Sequence, residues 1–352
     1  MSVFAGRQRL GLLAWARNPG RFLDIAGALG IEPRIIDFPR LHARWSAPLR
    51  YPIALVLTVA WLVRRRPHVV IVCCPPPFAS ALVALYSRLF GASYILDAHP
   101  GAFGHRDRLW RMFVPLQRRL VAGARATMVT ESHLAAVVDE WGGAPLVFHE
   151  APPSIRATQT AGRRGSRPKV LFATVFDPDE PLEAITRAAL ELKECEVLIT
   201  GSESRLAHEL RERLRSETHV RLTGWLQQSD YLTLAGEADV VVALTTDPHS
   251  VMRSAFEAIY LGRPTVLSDT APLRECFSPS VFVSSTGQSV TEGVRSVLAD
   301  HDRWLSQAAP RRDTLLERWE QQRMALESVI EGRKRGMAFA PTSESDRYAD
   351  VD

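Results

Sequence analysis

Residues 245–276, TTDPHSVMRSAFEAIYLGRPTVLSDTAPLREC, decide the fold of this chain. Apolar strands at 238–246 and 264–270 lie on either side of a short helical segment. We predict that this helix begins near Ser250, a residue type favoured as an N-cap, and ends at Gly262, because a glycine followed by Pro264 is a typical helix stop. The order strand, helix, strand indicates an α/β protein.

The predicted helix spaces His249, Arg253 and Glu257 four residues apart, so they follow one slowly drifting stripe of its surface. A cation in the first turn opposes the helix dipole unless an anion also binds there. Arg253 therefore indicates a phosphate site. The alternative is a surface pair of Arg253 with Glu257, which stabilises a helix by roughly a few tenths of a kcal/mol.

The alternation of short strands and helices continues on both sides of a polar segment at 157–168. Continuous β-branched runs such as HVVIVCC at 68–74 are typical of parallel strands buried on both faces. We predict an α/β fold with two doubly wound, Rossmann-like domains that face each other across a cleft, where ligands of such sheets bind. The predicted segments are an N-terminal domain at 1–156, a linker at 157–168, a C-terminal domain with a closing helix at 169–333 and a disordered tail at 334–352.

Composition narrows the class of protein. The chain has 352 residues and is 46% hydrophobic, which suits two ordinary globular domains. Its four cysteines have neither metal-site spacing nor a paired framework, so we expect reduced thiols in a cytosolic protein. The N-terminus lacks a secretory leader pattern, and the absence of a G-x-G-x-x-G motif disfavours a dinucleotide-dependent oxidoreductase.

Positive charge is concentrated in the first half. Residues 1–150 contain 18 Arg, no Lys and 9 acids, and they show no nucleic-acid motif. The apolar run at 51–63 is flanked by Arg50 and by Arg64, Arg65 and Arg66, and it is too short to span a bilayer. It predicts a buried helix of the first domain or a helix that lies in an anionic membrane interface, and the two are compatible if one face packs while the rim touches lipid.

The run FEAIYLGRPTVLSDTAPLREC resembles the donor-binding half of the GT-B glycosyltransferases. It is similar to their family 4 group, in which an E-x7-E motif is followed by EAxxxGxPVVxxDxxxxxE. Glu257, Gly262, Pro264, Asp269 and Glu275 occupy those places, and LTGWL at 222–226 resembles the family's nucleotide-base strand. The resemblance covers residues 167–330 well and residues 1–155 more loosely.

This resemblance implies roles for particular residues. Glu257 would hold the ribose hydroxyls of a nucleotide-sugar donor, and Trp225 and Leu226 would frame its base. Backbone N–H groups at Thr270, Ala271 and Leu273 would face the diphosphate or the sugar, and Arg253 would contact the leaving phosphate.

The chain departs from the family pattern at two places. His249 stands where the first acid of E-x7-E contacts the donor sugar, so we expect His249 in the donor site with an altered role. The loop after the first strand of the second domain usually offers Arg and Lys to the diphosphate, whereas this chain has Asp177, Asp179 and Glu180. For this reason neither retention nor inversion is assigned to this chain.

Two loops of the N-terminal half would face the same cleft. Asp97 and His99 follow a buried strand, where His99 could shuttle a proton near neutral pH and Asp97 could orient it or act as a base. The alternative is that Asp97 caps the loop and His99 is a satisfied polar group.

The second loop follows the first strand. Asn18, Gly20 and Arg21 open the first helix and could bind a phosphate or an acceptor at its N-terminus, or could form a simple turn. Thr130, Glu131 and Ser132, at the end of a third strand, are weaker candidates.

The function implied is that of a hexosyl-transferring GT-B enzyme. It would move a sugar from a nucleoside-diphosphate sugar to a hydroxyl of a lipid-linked, polysaccharide or glycolipid acceptor at the cytoplasmic membrane face. No metal or other cofactor and no nucleic acid are predicted, and Arg64, Arg65 and Arg66 would meet anionic lipid. A non-catalytic GT-B scaffold and a sugar-nucleotide epimerase are the alternatives.

Overall fold

The computed structural model describes residues 9–16, 19–38, 46–103, 111–153 and 167–332. Two parallel six-stranded sheets with flanking helices form the two α/β domains that the sequence predicts. The predicted disordered tail and most of the predicted linker lie outside the described residues.

The N-terminal sheet has the strand order β2-β1-β3-β4-β5-β6. Its strands are β1 Leu10–Ala14, β2 Arg34–Ile35, β3 Val69–Cys74, β4 Ser93–Ala98, β5 Ala126–Val129 and β6 Pro145–Val147. The described helices around it are α1 Gly20–Leu29, α2 Ala47–Arg65, α3 Pro77–Phe90, α4 Val114–Gly123 and α5 Ser132–Glu140. Every residue of β3 is buried, as the continuous apolar run predicts.

The C-terminal sheet has the strand order β12-β11-β10-β7-β8-β9. Its strands are β7 Lys169–Phe172, β8 Glu196–Thr200, β9 Val220–Gly224, β10 Val240–Ala243, β11 Thr265–Ser268 and β12 Val281–Val283. Its helices are α6 Leu182–Glu191, α7 His208–Arg215, α8 Gln228–Glu237, α9 Arg253–Tyr260, α10 Ala271–Phe277, α11 Gly287–Ala299 and α12 His301–Ile330.

The helix of the opening stretch begins later than predicted. Helix α9 begins at Arg253 and not near Ser250. The Asp247 side chain accepts the backbone N–H of His249 at 2.9 Å, and the Asp247 carbonyl accepts that of Ser250 at 3.2 Å, so these residues form a turn. The prediction that His249 shares a helical stripe with Arg253 and Glu257 is therefore wrong.

The closing helix α12 joins the two domains. It spans His301–Ile330. Its last turns pack into the core of the N-terminal domain, where Leu326 and Ile330 are fully buried. The Arg125 guanidinium donates to the Ile330 carbonyl at 2.9 Å, which satisfies a carbonyl that the helix end leaves without an intrahelical partner.

Helix α2 is attached to its domain by a narrow stripe. Ala54, Thr58 and Leu62 are buried on it at four-residue spacing. The broad opposite side is apolar and exposed, so α2 packs on its domain by one face only, as the combined interpretation allows. Its exposed apolar residues include Leu49, Ile53, Leu55, Val56, Leu57, Val59 and Val63. No membrane-crossing helix is found among the residues that the structure describes.

Candidate functional site

Arg253 lies where the two domains meet. As the first residue of α9, it donates through Nε to Glu257 at 2.8 Å, within its own helix. Its Nη2 lies 2.8 Å from the Asp24 carboxylate on α1, and its Nη1 lies 3.7 Å from Glu150, which follows β6. The pair with Glu257 therefore belongs to an interdomain network, and the interpretation as an isolated surface pair is wrong.

The network has one guanidinium for three carboxylates. Burial raises the pKa of Asp24 and of Glu257, and the Coulomb attraction of Arg253 offsets this only in part. Burial also raises the pKa of Glu150, to about 7. Burial alone would lower the pKa of Arg253, but the three carboxylates outweigh it and raise it. Arg253 is thus a permanent cation whose neighbours can take up protons.

Gly20 allows Arg253 to approach the N-terminus of α1. A Cβ at Gly20 would lie within 2.4 Å of the Arg253 Nη1 atom, so a larger residue would displace the guanidinium. The sequence predicts Gly20 and Arg253 as parts of two separate phosphate-binding features, and the structure brings them together. Asn18, from the same predicted loop, lies outside the described residues.

Arg21, Asp97 and His99 form a second group at the ends of β1 and β4. The Arg21 Nη2 atom lies 3.4 Å from Asp97, and the His99 Nε2 atom lies 3.8 Å from the other Asp97 oxygen. Arg21 and Asp97 are buried, yet neither the Arg21 guanidinium nor the Asp97 carboxylate has a hydrogen-bond partner within the described residues. Buried polar groups without partners are rare in folded proteins, so these atoms point to a ligand site.

His99 is the member of this group that solvent reaches. Its side chain is 39% exposed, whereas that of Asp97 is fully buried. Burial lowers the pKa of His99 below 6.5, and Asp97 only partly opposes this. The imidazole is therefore neutral at pH 7 and is able to accept a proton.

Cys73 completes a group that could hold a metal ion by geometry alone, since its sulfur and one ligand atom each of Asp97 and His99 lie within 4.8 Å of one another. The donor set fits a metal poorly. Arg21 already places a cation against Asp97. Burial raises the pKa of the Cys73 thiol well above its ordinary value, which disfavours the thiolate that a metal requires.

A cavity of about 540 Å³ lies beside this centre, between the domains. His249, Thr270 and Ala271 line it from the C-terminal domain, opposite the weaker candidates Glu131 and Ser132. The domains also touch here: the ring centroids of His133 and His249 are 4.5 Å apart, and the Ser132 hydroxyl donates to Glu275 at 2.7 Å. His249 therefore lines this cavity, whereas Glu257 belongs to the Arg253 network.

The remaining predicted donor residues are spread along the second sheet. Trp225 follows β9, at the sheet edge, and is 60% exposed, whereas Leu226 beside it is half-buried. Leu273 is fully buried in the core, so its side chain cannot face a ligand and only its backbone remains available.

The acidic loop after β7 is fixed by its own contacts. Asp177 pairs with Arg205, and the Asp179 carbonyl accepts the Thr246 N–H at 2.6 Å. The Glu180 carboxylate accepts the backbone N–H groups of Val175 and Phe176 at 3.0 and 2.8 Å. These contacts hold the loop in place.

Sequence reasoning missed Asp24 and Glu150. Asp24 lies on α1, four residues after Gly20, and Glu150 follows β6, so both stand near sheet edges where ligand-binding residues gather. Their position near the sheet edges is the one feature of the sequence that could have identified them as site residues. Their pairing with Arg253 depends on how the two domains face each other, which local sequence does not encode.

Replacing Glu150 by glutamine should stabilise the protein at alkaline pH. The folded pKa of about 7 exceeds the ordinary 4.5, so the folded protein keeps a proton that the unfolded chain loses between these values. The contribution of the Glu150 carboxyl to the free energy of unfolding is therefore fully present at low pH and is lost as the pH rises towards 7. The Glu150→Gln variant should gain on the order of 1–3 kcal/mol over the wild type between pH 4.5 and pH 8, measured by urea unfolding. The exposed Glu140→Gln variant is the control, and a pH-independent difference at Glu150 would contradict the prediction.

Comparisons with known proteins agree with this architecture. A family model described as glycosyl transferases group 1 matches residues 167–300. No curated protein matches the chain. Sucrose-phosphate synthase from Thermosynechococcus elongatus has a similar structure, with a TM-score of 0.68 and 15% identity over 93% of this chain and 99% of that one.

Two further solved structures have similar folds. The Anabaena protein HepE in complex with UDP and glucose has a TM-score of 0.71 and 12% identity over 92% of this chain and 100% of that one. A UDP-N-acetylglucosamine 2-epimerase has a TM-score of 0.60 and 13% identity over 93% of this chain and 97% of that one. These likenesses confirm the predicted GT-B fold.

Proposed function

We propose that the protein is a hexosyltransferase that moves a sugar from a nucleoside-diphosphate sugar to an acceptor hydroxyl. The observation that carries the proposal is the position of Arg253. It begins a helix in the domain that matches the group 1 model, and it meets the N-terminal domain in the cleft beside Arg21, Asp97 and His99. HepE, which has this fold, is described as a complex with UDP and glucose.

The donor would lie along the carboxyl edge of the second sheet. Its base would stack on the exposed Trp225 beyond β9, and its ribose would reach Glu257. The sugar would then lie at the cleft, within reach of His249, Thr270 and Ala271.

Catalysis would depend mainly on charge. The diphosphate would replace carboxylates at Arg253, and the Asp24, Glu150 and Glu257 side chains could take up protons as it binds, because burial raises the pKa of each. Arg253 and the N-terminus of α9 would stabilise the departing diphosphate without a required metal. The neutral imidazole of His99 would accept the proton of the acceptor hydroxyl, while Asp97 orients the ring.

Product analysis tests this function against its two alternatives. The protein is incubated with a UDP-sugar or GDP-sugar, with and without extracts of polar lipids and oligosaccharides as acceptors. A transferase releases the nucleoside diphosphate and forms a new glycoside when an acceptor is present. An epimerase changes the donor sugar without an acceptor, and a non-catalytic scaffold, which the three carboxylates around Arg253 favour, leaves the donor unchanged. Either of these two results would contradict the proposal.

We further propose that the acceptor is a glycolipid or other lipid-linked glycan, reached from the cytoplasmic face of a membrane. The support is the exposed apolar side of α2, where Leu49 is 57% and Val56 is 63% exposed. Helix α2 contains no acidic residue, its last turn contains Arg64 and Arg65, and Arg66 follows directly. Leu85, Leu89 and Phe90 on α3 add exposed apolar area. Such a helix would lie in the interface with its arginines at lipid phosphates.

Adding acidic residues to the apolar side of α2, or removing the arginines at its end, should weaken membrane binding. In flotation with vesicles of phosphatidylcholine and phosphatidylglycerol, the Ile53→Glu/Val56→Glu variant should bind at least about tenfold more weakly, since each apolar side chain contributes about 1.5–3 kcal/mol when buried. Changing Arg64, Arg65 and Arg66 to glutamine should weaken binding by about 100-fold, at roughly 1 kcal/mol per charge.

The control for both variants is Met324→Glu, which alters a side chain that is 52% exposed on α12. Equal flotation of the wild type and the α2 variants would contradict the membrane proposal, as would absence of wild-type binding.

A further inference from the structure

A small cavity opens at the carboxyl ends of β1, β2 and β3, apart from the cleft centre. Its volume is about 180 Å³. Its walls are mainly apolar and aromatic and include Trp15, Phe38, Tyr51 and Pro76. Arg50 and Asp37 add one cation and one carboxylate to the lining. An apolar pocket with a few polar groups is the usual form of a small-molecule site.

The aromatic wall is held in place. The Trp15 indole donates to the Thr58 hydroxyl at 2.9 Å, which fixes the ring against the buried stripe of α2. Trp15 stacks on Tyr51 with ring centroids 6.1 Å apart, and Tyr51 contacts Phe78 at 5.3 Å. The Arg50 guanidinium lies over the Tyr51 ring, 5.0 Å from its centroid. The wall is thus a set of aromatic side chains that hold one another in place, with the Arg50 guanidinium beside them.

These properties match a sugar ring. A pyranose has faces of C–H groups that pack on aromatic rings and a rim of hydroxyls that bind charged side chains, so it needs both kinds of wall. The cavity is smaller than the roughly 300 Å³ at which drug-sized sites begin, which suits a single ring.

The cavity also lies next to the proposed reacting groups. The backbone N–H of His99 donates to the Cys74 carbonyl at 2.9 Å, and Pro75 and Pro76, which line the cavity, follow directly. A Cβ at Gly101 would lie 3.5 Å from Pro75, so the His99 loop rests on the cavity wall. On the other side, α2 separates the cavity from its exposed apolar surface.

We propose that this cavity is a subsite for one sugar ring of the acceptor, with Trp15 and Tyr51 as the stacking surface and Arg50 as the hydroxyl-binding group. The assignment rests on the proposed function, because it places the acceptor glycan between the α2 surface and His99. The lipid would lie at the exposed surface of α2, and the glycan would present a hydroxyl to the His99 loop.

Saturation-transfer NMR tests the subsite without needing turnover. Methyl glycosides of glucose, galactose, mannose and N-acetylglucosamine serve as probes at millimolar concentration. At least one should receive saturation at its ring protons from the wild type, and the signal should fall at least fivefold in Trp15→Leu and in Arg50→Gln. The exposed Arg213→Gln variant should keep the wild-type signal.

Calorimetry with UDP and GDP on the same samples separates the two claims. Trp15→Leu and Arg50→Gln should retain wild-type nucleotide affinity, which also shows that they are folded. No signal from any glycoside with the wild type, or an unchanged signal in both variants, would overturn the subsite. Glycoside binding without any nucleotide binding would leave the subsite standing and contradict the proposed function.

Discussion

Replacing Arg253 by glutamine is expected to lower kcat/KM for sugar transfer by about 10²–10³-fold, the usual effect of removing one group that stabilises transition-state charge. The loss should fall on kcat as well as on donor affinity, because the charge on the diphosphate grows as it leaves. Steady-state kinetics with the donor identified by product analysis measure it. The variant should remain folded, since burial raises the pKa of Glu150 to about 7 and this carboxyl group can take up a proton near neutral pH.

Replacing Asp24, the partner of Arg253, should have the opposite effect on nucleotide affinity. Asp24 lies 2.8 Å from the Arg253 guanidinium and competes with the diphosphate for it, so Asp24→Asn should tighten nucleotide binding. Arg295→Gln, which breaks an exposed pair with Glu194 at 2.7 Å, is the control for loss of an arginine. Full activity in Arg253→Gln would remove Arg253 from the mechanism, and weaker binding in Asp24→Asn would contradict the proposed exchange of partners.

Replacing His99 by glutamine should lower kcat by about 10²–10⁴-fold, the range that general acid–base catalysis contributes. The wild-type pH profile should lose activity on the acid side below pH 6.5, because burial lowers the pKa of His99 and the imidazole must be neutral to accept a proton. The variant should lack this acid limb. Donor affinity should change little, which separates proton transfer from donor binding.

Asp97→Asn tests how His99 is held. Asp97 lies 3.8 Å from the His99 ring and 3.4 Å from Arg21, so this variant should shift the acid limb without removing it. His99→Gln with wild-type kcat, or with an unchanged acid limb, would show that His99 is a polar loop residue and that another group receives the proton.

The fold could be predicted because the information is local. Runs such as VVIVCC in β3 and VVVA in β10 identify buried parallel strands from composition alone, and the restart at Lys169 indicates a second domain. Short edge strands such as Arg34–Ile35 escaped notice because two residues carry no periodicity. The predicted start of α9 at Ser250 is wrong because the residues after Asp247 form a turn, in which the Asp247 side chain accepts the His249 N–H. The helix therefore begins three residues later, at Arg253.

The site was predictable only in part. Arg253, Gly20 and Asp97 were found from their places at helix starts and strand ends, which the chain order determines. The partners of Arg253 were not found, because Asp24 and Glu150 reach it across the domain interface. The sequence also does not determine how much of α2 is buried, because an apolar run has the same composition whether it packs on protein or faces a membrane.

Calorimetric titration of UDP, GDP and their sugars into the wild type tests the central claim most directly. We predict that at least one of them binds with a Kd in the range of about 1 μM to 1 mM that is common for enzyme substrates. The same ligand should bind more weakly to Arg253→Gln and more tightly to Asp24→Asn. Absence of binding by every one of these nucleotides to the folded wild-type protein would contradict the account.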